Sequence, residues 1–116
     1  MNIKQIDEDT LKTVENKVKV YKTFNKSGKL LKEESEEEVI FMTKIPDGIA
    51  TQTITTSKDK KVNLGNYQSA GVFVSTTVTV PMEEDQIEAA WKYVDKFTLD
   101  KLEEVLGQNF GESQEG

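Results

Sequence analysis

Apolar and polar residues alternate with a period of two along the middle of the chain, which is typical of strands with one buried face. The pattern is clearest in residues 72–80, where four valines and Thr76 fall on one face and Phe73 falls with small hydroxylated residues on the other. Pro81 ends this strand, because proline has no N–H to donate to a sheet. Residues 72–80 are therefore the most strongly predicted strand.

Weaker alternation and turn chemistry predict the remaining strands and their connections. The predicted strands are 14–24, 30–35, 39–42 and 49–57, with turns at 25–29 and 46–48. Lysines alternate with valines in the first, glycine and proline mark the turns, and threonine dominates the last. We expect residues 58–61, which include three lysines, to form the polar tip of a second hairpin. Acidic residues before Leu11 and Val14 predict a short helical turn at 7–14.

After Pro81 the apolar period lengthens to three and four residues, which predicts an amphipathic helix. Its apolar stripe consists of Ile87, Ala90, Trp91, Val94, Phe97, Leu102, Val105 and Leu106. Acidic residues 83–85 suit the positive end of the helix dipole, and Gly107 predicts the end of the helix. We expect a kink near Phe97. Trp91 lies inside the stripe, so we expect its ring in the core.

These elements predict an α+β domain, with an antiparallel sheet of about four to six strands packed by the C-terminal amphipathic helix. A chain of 116 residues suits one core, so we expect a single domain at 1–107 and a flexible polar tail at 108–116. The sequence contains no run of about 18 apolar residues and no charged-then-apolar leader, which predicts neither a membrane span nor a signal peptide. We expect a cytoplasmic protein.

The chain contains no histidine, no cysteine and no arginine. These side chains carry most of the proton transfer, thiolate attack and bidentate phosphate binding in proteins. The carboxylates of Glu83, Glu84, Asp85 and Glu88 lack EF-hand spacing and lie where a helix dipole favours negative charge. We therefore predict a protein with no enzymatic activity, no cofactor and no bound metal.

Charge is distributed unevenly along the chain, whose formal net charge is -6. Residues 1–32 carry eight lysines and four acidic residues, whereas residues 33–48 carry one lysine and six acidic residues. Glu36, Glu37 and Glu38 are candidate binding residues, because closely spaced carboxylates can imitate nucleic-acid phosphates in the groove of a target protein. The alternative is that the acidic run is a solvated loop or an exposed strand end.

The most unusual segment lies just before the most strongly predicted strand. Gly65 and Gly71 bracket an amide-rich aromatic stretch, which predicts a bulge or tight turn that presents Asn66, Tyr67 and Gln68. Such a turn can bind a base, a nucleotide or a peptide through stacking and amide hydrogen bonds. The alternative is that Tyr67 closes one end of the core.

The same segment carries a resemblance to a known group of proteins. The sequence VNLGNYQS at residues 62–69, the valine-rich strand ending at Pro81 and the acidic helix start resemble small uncharacterised proteins encoded by tailed bacteriophages. The resemblance covers residues 62–106. It implies a phage or prophage setting and localisation in the host cell cytoplasm. Small acidic, lysine-rich proteins in that setting often bind and inhibit a host factor.

The leading functional hypothesis is a small non-enzymatic binding protein that recognises a host or phage protein, with inhibition of a host protein as one outcome. The competing hypothesis is a single-stranded nucleic-acid or nucleotide binder that uses Asn66, Tyr67 and the lysines at 58, 60 and 61. Net negative charge argues against it, because nucleic-acid affinity rests largely on neutralising phosphates. A structural virion component is a third hypothesis, and the sequence leaves homo-oligomer formation open.

Overall fold

Residues 11–110, the part of the chain that the computed structural model describes, form four β-strands followed by one α-helix. The elements are β1 (Leu11–Lys26), β2 (Lys29–Pro46), β3 (Thr51–Gly65), β4 (Gln68–Pro81) and α1 (Glu84–Phe110). The strands form one antiparallel sheet in the order β2-β1-β4-β3, and α1 packs mainly on one face of β4 and β3. The predicted α+β fold, an antiparallel sheet packed by a C-terminal helix, is confirmed with four strands.

Each half of the sheet is a hairpin closed by a two-residue turn. The turn residues are Ser27 and Gly28 in the first hairpin and Asn66 and Tyr67 in the second, with φ values of 53°, 80°, 54° and 61°. Two consecutive positive φ values give the turn a twist that matches the twist of antiparallel strands. The turn predicted at residues 25–29 is confirmed.

Two strands are longer than the sequence pattern predicts. β3 continues through residues 58–61, so the hairpin tip predicted there is wrong. The turn falls instead at Asn66, because asparagine tolerates positive φ better than lysine does. β2 likewise continues through the acidic run Glu33–Glu38, where Lys19 and Lys22 of β1 are opposite Glu37 and Glu34. Lys22 Nζ, for example, lies 3.4 Å from Glu34 Oε1.

One face of the sheet, here called the covered face, packs against α1 and carries the hydrophobic core. Besides Ile45 of β2, the buried apolar side chains are Val18, Val20, Ile54, Val62, Ala70, Val72, Val74, Val78, Ala90, Val94, Leu102 and Val105. The period-two prediction for residues 72–80 is confirmed. The opposite face, here called the open face, carries mainly serine, threonine and lysine, and none of the described elements packs on it.

The connection from β2 to β3 leads from one edge strand of the sheet to the other. It begins with the predicted turn at Pro46 and Gly48, which is confirmed: Ile49 N donates to Pro46 O at 3.3 Å, and Gly48 has a φ of 87°. Met82 N then donates to Ala50 O at 2.9 Å. This bond ties the connection to the segment that leads into α1.

A buried asparagine joins the two hairpins at the point where they diverge. Backbone pairing of β1 with β4 stops at Lys17 and Thr77, and beyond this row each strand keeps only its own hairpin partner. There Asn16 Oδ1 accepts a hydrogen bond from Thr79 N at 2.9 Å. Asn16 Nδ2 donates to a backbone carbonyl of β2 at 3.2 Å and to a threonine hydroxyl of β2 at 2.8 Å. The fully buried side chain of Asn16 thus supplies hydrogen bonds between the two hairpins where the backbone pairing of β1 with β4 has ended.

Two hydroxyl groups lie buried in the middle of the core. Thr76 of β4 and Thr98 of α1 are both fully buried, and their Oγ1 atoms lie 2.7 Å apart. Thr98 Oγ1 also contacts Val94 O in the preceding helical turn. Because a hydroxyl has one proton, Thr98 donates to Val94 O and accepts from Thr76. The pair lies between two apolar clusters, one containing Leu102 and the other containing Val78.

The helix differs from its prediction at its end and on its surface. It runs as a single helix through Phe97 and past Gly107 to Phe110, so the stop predicted at Gly107 is wrong. Phe110 packs against the core, which stabilises the additional turn. Trp91 is 49% exposed, so its predicted place in the core is also wrong. A helix advances about 100° per residue, and the neighbouring Ala90 occupies the inward position.

The ends of the chain bear on two further predictions. Leu11 and Val14 belong to β1 and not to the short helical turn predicted at 7–14. Residues 7–10, which complete that prediction, lie outside the described residues. The same holds for residues 111–116 of the predicted tail.

Asn16→Ala should lower the free energy of unfolding by about 2–3 kcal/mol, because interior groups of β2 and β4 lose their hydrogen-bond partner. Urea unfolding measures the change. Gln86→Ala is the matched control, since Gln86 is exposed on α1 and should change stability by less than about 0.5 kcal/mol. An equally small loss for Asn16→Ala would show that the hairpins stay joined without this side chain.

Thr98→Val should destabilise the protein more than Thr76→Val does. Thr76→Val leaves Thr98 still donating to Val94 O, whereas Thr98→Val leaves the Thr76 hydroxyl buried without an acceptor, at a cost of about 1–3 kcal/mol. In the double variant both hydroxyls are gone, so its stability should return close to that of the wild type. Denaturant unfolding of the three variants checks the order, and equal losses in the two single variants would contradict the assigned donors.

Candidate binding surface at the hairpin tips

The two hairpin turns lie side by side at one end of the sheet. Ser27 N in the first turn donates to Tyr67 O in the second turn at 2.7 Å. Next to the second turn, Gly65 N donates to Asn63 Oδ1 at 2.9 Å across a bulge in the strand register. The end of the sheet is therefore one surface built by both hairpins. We call residues 25–32 and 63–68 the tip surface.

The predicted candidates Asn66, Tyr67 and Gln68 lie together on the tip surface. Asn66 and Tyr67 form the turn, and Gln68 begins β4. Tyr67 is 87% exposed, so it does not close the core. Its φ of 61° lies in the left-handed region, which costs a non-glycine residue about 1–2 kcal/mol. A bulky side chain that neither packs nor suits its backbone conformation is a candidate contact for another molecule.

Exposed leucines flank Tyr67 on the two edge strands. Leu30 and Leu31 on β2 are 51% and 64% exposed, and Leu64 on β3 is 41% exposed. Tyr67 lies between them, because its turn contacts the turn of the first hairpin. Exposed apolar side chains at one end of the sheet mark a candidate interaction surface.

Lys26, Lys29 and Lys32 lie on the tip surface beside these apolar side chains, and the tip surface contains no acidic residue. Lys32 Nζ lies 3.1 Å from Glu34 Oε2, just outside this surface. Residues 16–32 contain six lysines and no acidic residue, and residues 60–82 contain two lysines and no acidic residue. Lys26 and Lys29 flank the first turn, and Lys32 Nζ lies 5.7 Å from the centre of the Phe24 ring. The tip surface therefore has a positive charge, although the whole chain is negative.

The acidic candidates lie elsewhere on the molecule. Glu36, Glu37 and Glu38 are exposed on edge strand β2, and Glu37 is seven residue rows from the first turn, or about 23 Å at the rise of an extended strand. Glu37 Oε1 lies 3.7 Å from Lys17 Nζ, and Glu38 Oε1 lies 3.3 Å from Lys101 Nζ. The structure thus separates these residues from the tip surface.

Hydrogen bonds along β2 shift the pKa values of Glu34 and of Tyr21 on the neighbouring strand. Hydrogen bonds from Lys32 and then Lys22 lower the pKa of Glu34. Tyr21 Oη donates to Glu33 Oε1 at 3.0 Å, and this bond raises the pKa of Tyr21 because it favours the protonated phenol. Both shifts move the pKa of the group further from neutral pH. Among residues 11–110, no group of three or more acidic side chains is arranged to hold a metal ion.

Sequence reasoning missed a cluster of three aromatic rings between β2 and α1. The edge of one ring in the Phe41–Tyr93 pair meets the face of the other, and Tyr93 stacks on Phe97, with ring centroids 5.6 Å apart in both pairs. A cleft of about 410 Å³ beside the rings is also lined by Lys92 and Lys96. Burial raises the pKa of Tyr93. The four-residue spacing of Tyr93 and Phe97 is the only sequence signal, because Phe41 comes from a distant strand.

The second glycine of the predicted segment has a structural explanation. Gly71 faces the open side of the sheet beside Tyr21 and Phe73, in a depression of about 310 Å³. A Cβ atom at Gly71 would lie only 2.9 Å from Thr23 Oγ1 on the neighbouring strand. Close approach of that side chain therefore accounts for the glycine.

Comparisons of the chain with protein-family models, with curated proteins and with solved structures found no match. Within residues 11–110, no helix is both long enough and apolar enough to span a membrane. The function is therefore inferred from the exposed side chains and the charge of the tip surface.

Tyr67→Gly should raise the free energy of unfolding by about 0.5–1 kcal/mol, because glycine adopts positive φ without steric cost. Tyr67→Ala is the matched control: it removes the ring but keeps the Cβ atom, and stability should stay within about 0.5 kcal/mol of the wild type. Thermal or urea unfolding gives both values. Strong destabilisation by Tyr67→Ala would mean that the ring supports the fold and is not free for a partner.

Proposed function

We propose that the protein is a small non-enzymatic binding protein that recognises an acidic surface of another protein through the tip surface. The observation that carries the proposal is Tyr67, a nearly fully exposed ring held at a conformation that favours glycine. The bond from Ser27 N to Tyr67 O fixes the turn against the neighbouring hairpin. Binding through a surface that is already ordered costs less conformational entropy than binding through a loose loop.

The chemistry of the tip surface specifies the partner. Tyrosine is among the residues that most often dominate binding energy, because it combines apolar area with a hydrogen-bonding group. Leu31 and Leu64 add apolar area at the edges. Lys26 and Lys29 would attract and orient a partner of opposite charge. The best match is therefore a protein surface with an apolar pocket and an acidic rim.

Two other classes of macromolecule fit less well. Single-stranded nucleic acid is usually bound by several aromatic rings in a basic groove, whereas the tip surface offers one fully exposed ring and three leucines, which do not stack on bases. A lipid surface would have to accept the turn residues at the end of the sheet, where Tyr67 is accompanied by the polar side chains of Ser27 and Asn66 and by the turn backbone. The leucines, the tyrosine and the hydrogen-bonding turns suit a protein partner better than they suit single-stranded nucleic acid or a lipid surface.

The phage setting supports a more specific form of the proposal. The proteins that residues 62–106 resemble are uncharacterised, so the resemblance implies only a phage or prophage setting, in which small acidic, lysine-rich proteins often bind and inhibit a host factor. The turn that presents Tyr67 lies within that segment. We therefore take the partner to be a host protein and inhibition of that protein to be the consequence of binding.

Photocrosslinking from the tip surface tests the proposal. The full-length protein carrying benzoylphenylalanine in place of Tyr67 would be irradiated in nuclease-treated bacterial lysate. We expect a discrete covalent protein adduct from position 67. The matched control carries the same crosslinker in place of Leu99, which is exposed on α1 at 43%, and should give no such adduct. Unmodified wild-type protein added in excess should suppress the adduct. Tyr67→Ala protein should suppress it about tenfold less well, which corresponds to a loss of about 1.4 kcal/mol in binding free energy.

Direct binding assays separate the partner classes. Fluorescence anisotropy with labelled single-stranded DNA and RNA, and sedimentation with vesicles containing anionic lipid, use the same wild-type and Tyr67→Ala proteins. We expect no tight binding to either at physiological salt. Micromolar nucleic-acid binding that is lost in Tyr67→Ala and falls steeply with salt would replace the protein partner by nucleic acid. Vesicle binding that depends on Tyr67 would replace it by a membrane surface.

A further inference from the structure

Both edges of the sheet are long and uncovered. β2 has 18 residues and β3 has 15, and neither strand has a second neighbour among the described elements. Each edge therefore presents a row of unpaired backbone N–H and C=O groups, which is a template for pairing with another strand. Soluble proteins commonly prevent such pairing with charged edge residues. Here the two edges carry opposite charges.

The opposite charges lie at matching levels of the sheet. Following the register from β2 across β1 and β4 to β3 gives the rows Glu36–Val20–Val74–Lys58, Glu34–Lys22–Val72–Lys60 and Glu33–Thr23–Gly71–Lys61. Each of these rows begins with a glutamate on one edge and ends with a lysine on the other. Glutamate and lysine in a row also project from the same face, since paired residues of a sheet share a face.

We propose that a second copy of this chain adds to the sheet edge to edge, with β2 of one copy pairing antiparallel with β3 of the next. The direction is consistent, because β2 and β3 are separated by three antiparallel pairings and so run in opposite directions. With no register shift, all three glutamates face lysines and Ser35 faces Asp59. A shift of two residues in one direction places Glu37 opposite Asp59, and a shift of two in the other places Lys32 opposite Lys60. Each shifted register therefore places like charges opposite each other, so the unshifted register is favoured.

Contacts between like edges are disfavoured by the same charges. Two β2 edges paired through their acidic run place glutamate opposite glutamate. Two β3 edges centred on residues 58–61 place Lys58 opposite Lys61, and the Asp59–Lys60 pairs offset only part of this repulsion, because each edge carries three lysines and one aspartate. Like charges directly opposite each other destabilise strand pairs. The favoured contact is therefore between unlike edges. Such a contact does not close on itself and generates an open row of subunits.

The side chains at the edges are exposed enough for this contact. Glu34 already pairs with Lys22 and Lys32, and Glu33 accepts a hydrogen bond from Tyr21, so lysines of the next copy would extend these interactions. Residues 29–39 of β2 are all exposed. The helix α1 contacts this strand at Glu38 and Phe41, beyond the three rows that would pair with the neighbouring copy. Within residues 11–110, Lys60 and Lys61 have no ion-pair partner. Lys58 Nζ lies 3.1 Å from Asp95 Oδ1 on α1, so Glu36 of the incoming strand would extend an existing ion pair.

Sedimentation velocity of the full chain, from micromolar to millimolar concentration, tests the proposal. We expect the weight-average sedimentation coefficient to rise continuously with concentration and to pass the value of a dimer. Raising the salt from about 0.01 M to about 1 M should weaken the association, because ion pairs at an exposed edge are screened. A monomer throughout this range, or an assembly that stops at a dimer, would overturn the proposal.

Charge reversal of one edge at a time gives the sharper test. The first variant combines Glu33→Lys, Glu34→Lys and Glu36→Lys, and the second combines Lys58→Glu, Lys60→Glu and Lys61→Glu. Each variant alone then has two edges of the same charge, so its association constant should fall at least about tenfold. In an equimolar mixture every contact is again between unlike edges, and assembly should return. Failure of the mixture to assemble while both variants remain folded by circular dichroism would refute edge pairing.

A control variant separates edge pairing from net charge. Glu84→Lys, Glu88→Lys and Glu103→Lys together make the same change in net charge as the first variant, but on exposed positions of α1. This control should assemble as the wild type does. If it loses assembly to the same degree as the first variant, the association depends on total charge and not on the edges.

Discussion

The valine-rich face of β4 and the apolar stripe of α1 bury each other, and every other part of the molecule is arranged around that contact. Val74 and Val94 are completely buried at its centre. A single helix is about 10 Å wide, whereas four strands extend over about 14 Å between the outermost backbones. One helix therefore cannot cover the whole sheet, and β2, the open face and the hairpin tips have to remain compatible with water.

Polar groups inside this small core fix its geometry. Every fully buried side-chain nitrogen or oxygen atom among the described residues has a hydrogen-bond partner. Asn16 aligns the hairpins where their backbones part, and Thr98 sets the position of α1 along β4 through Thr76. Valines alone would permit several alignments, because they resemble one another in shape and make no directional bonds. The polar contacts select one alignment, as buried polar groups do in some other proteins.

The sequence predicts the parts of this fold that depend on periodicity. Alternation in residues 72–80 and helical spacing after Pro81 identified β4 and α1, and the glycine and asparagine pattern identified the turn that exposes Tyr67. The lysines at 58–61 were misread, because a solvated edge strand and a turn have the same polar composition. Trp91 was misread because one helix buries only part of a broad stripe. The matching charges of Glu36 and Lys58 appear only when the strand order is known.

The pairing of β1 with β4 has a consequence for the order of events during synthesis. Each hairpin is local in sequence, but the central pairing joins residues as far apart as Lys17 and Thr77. Contacts between distant segments form late and slowly, because a long loop must close first. The N-terminal hairpin therefore leaves the ribosome with one edge of β1 unpaired until β4 has emerged, and with Val18 and Val20 uncovered until α1 has also emerged. During that interval the nascent chain exposes an open strand edge and apolar side chains, and early contact with a chaperone would protect it from aggregation.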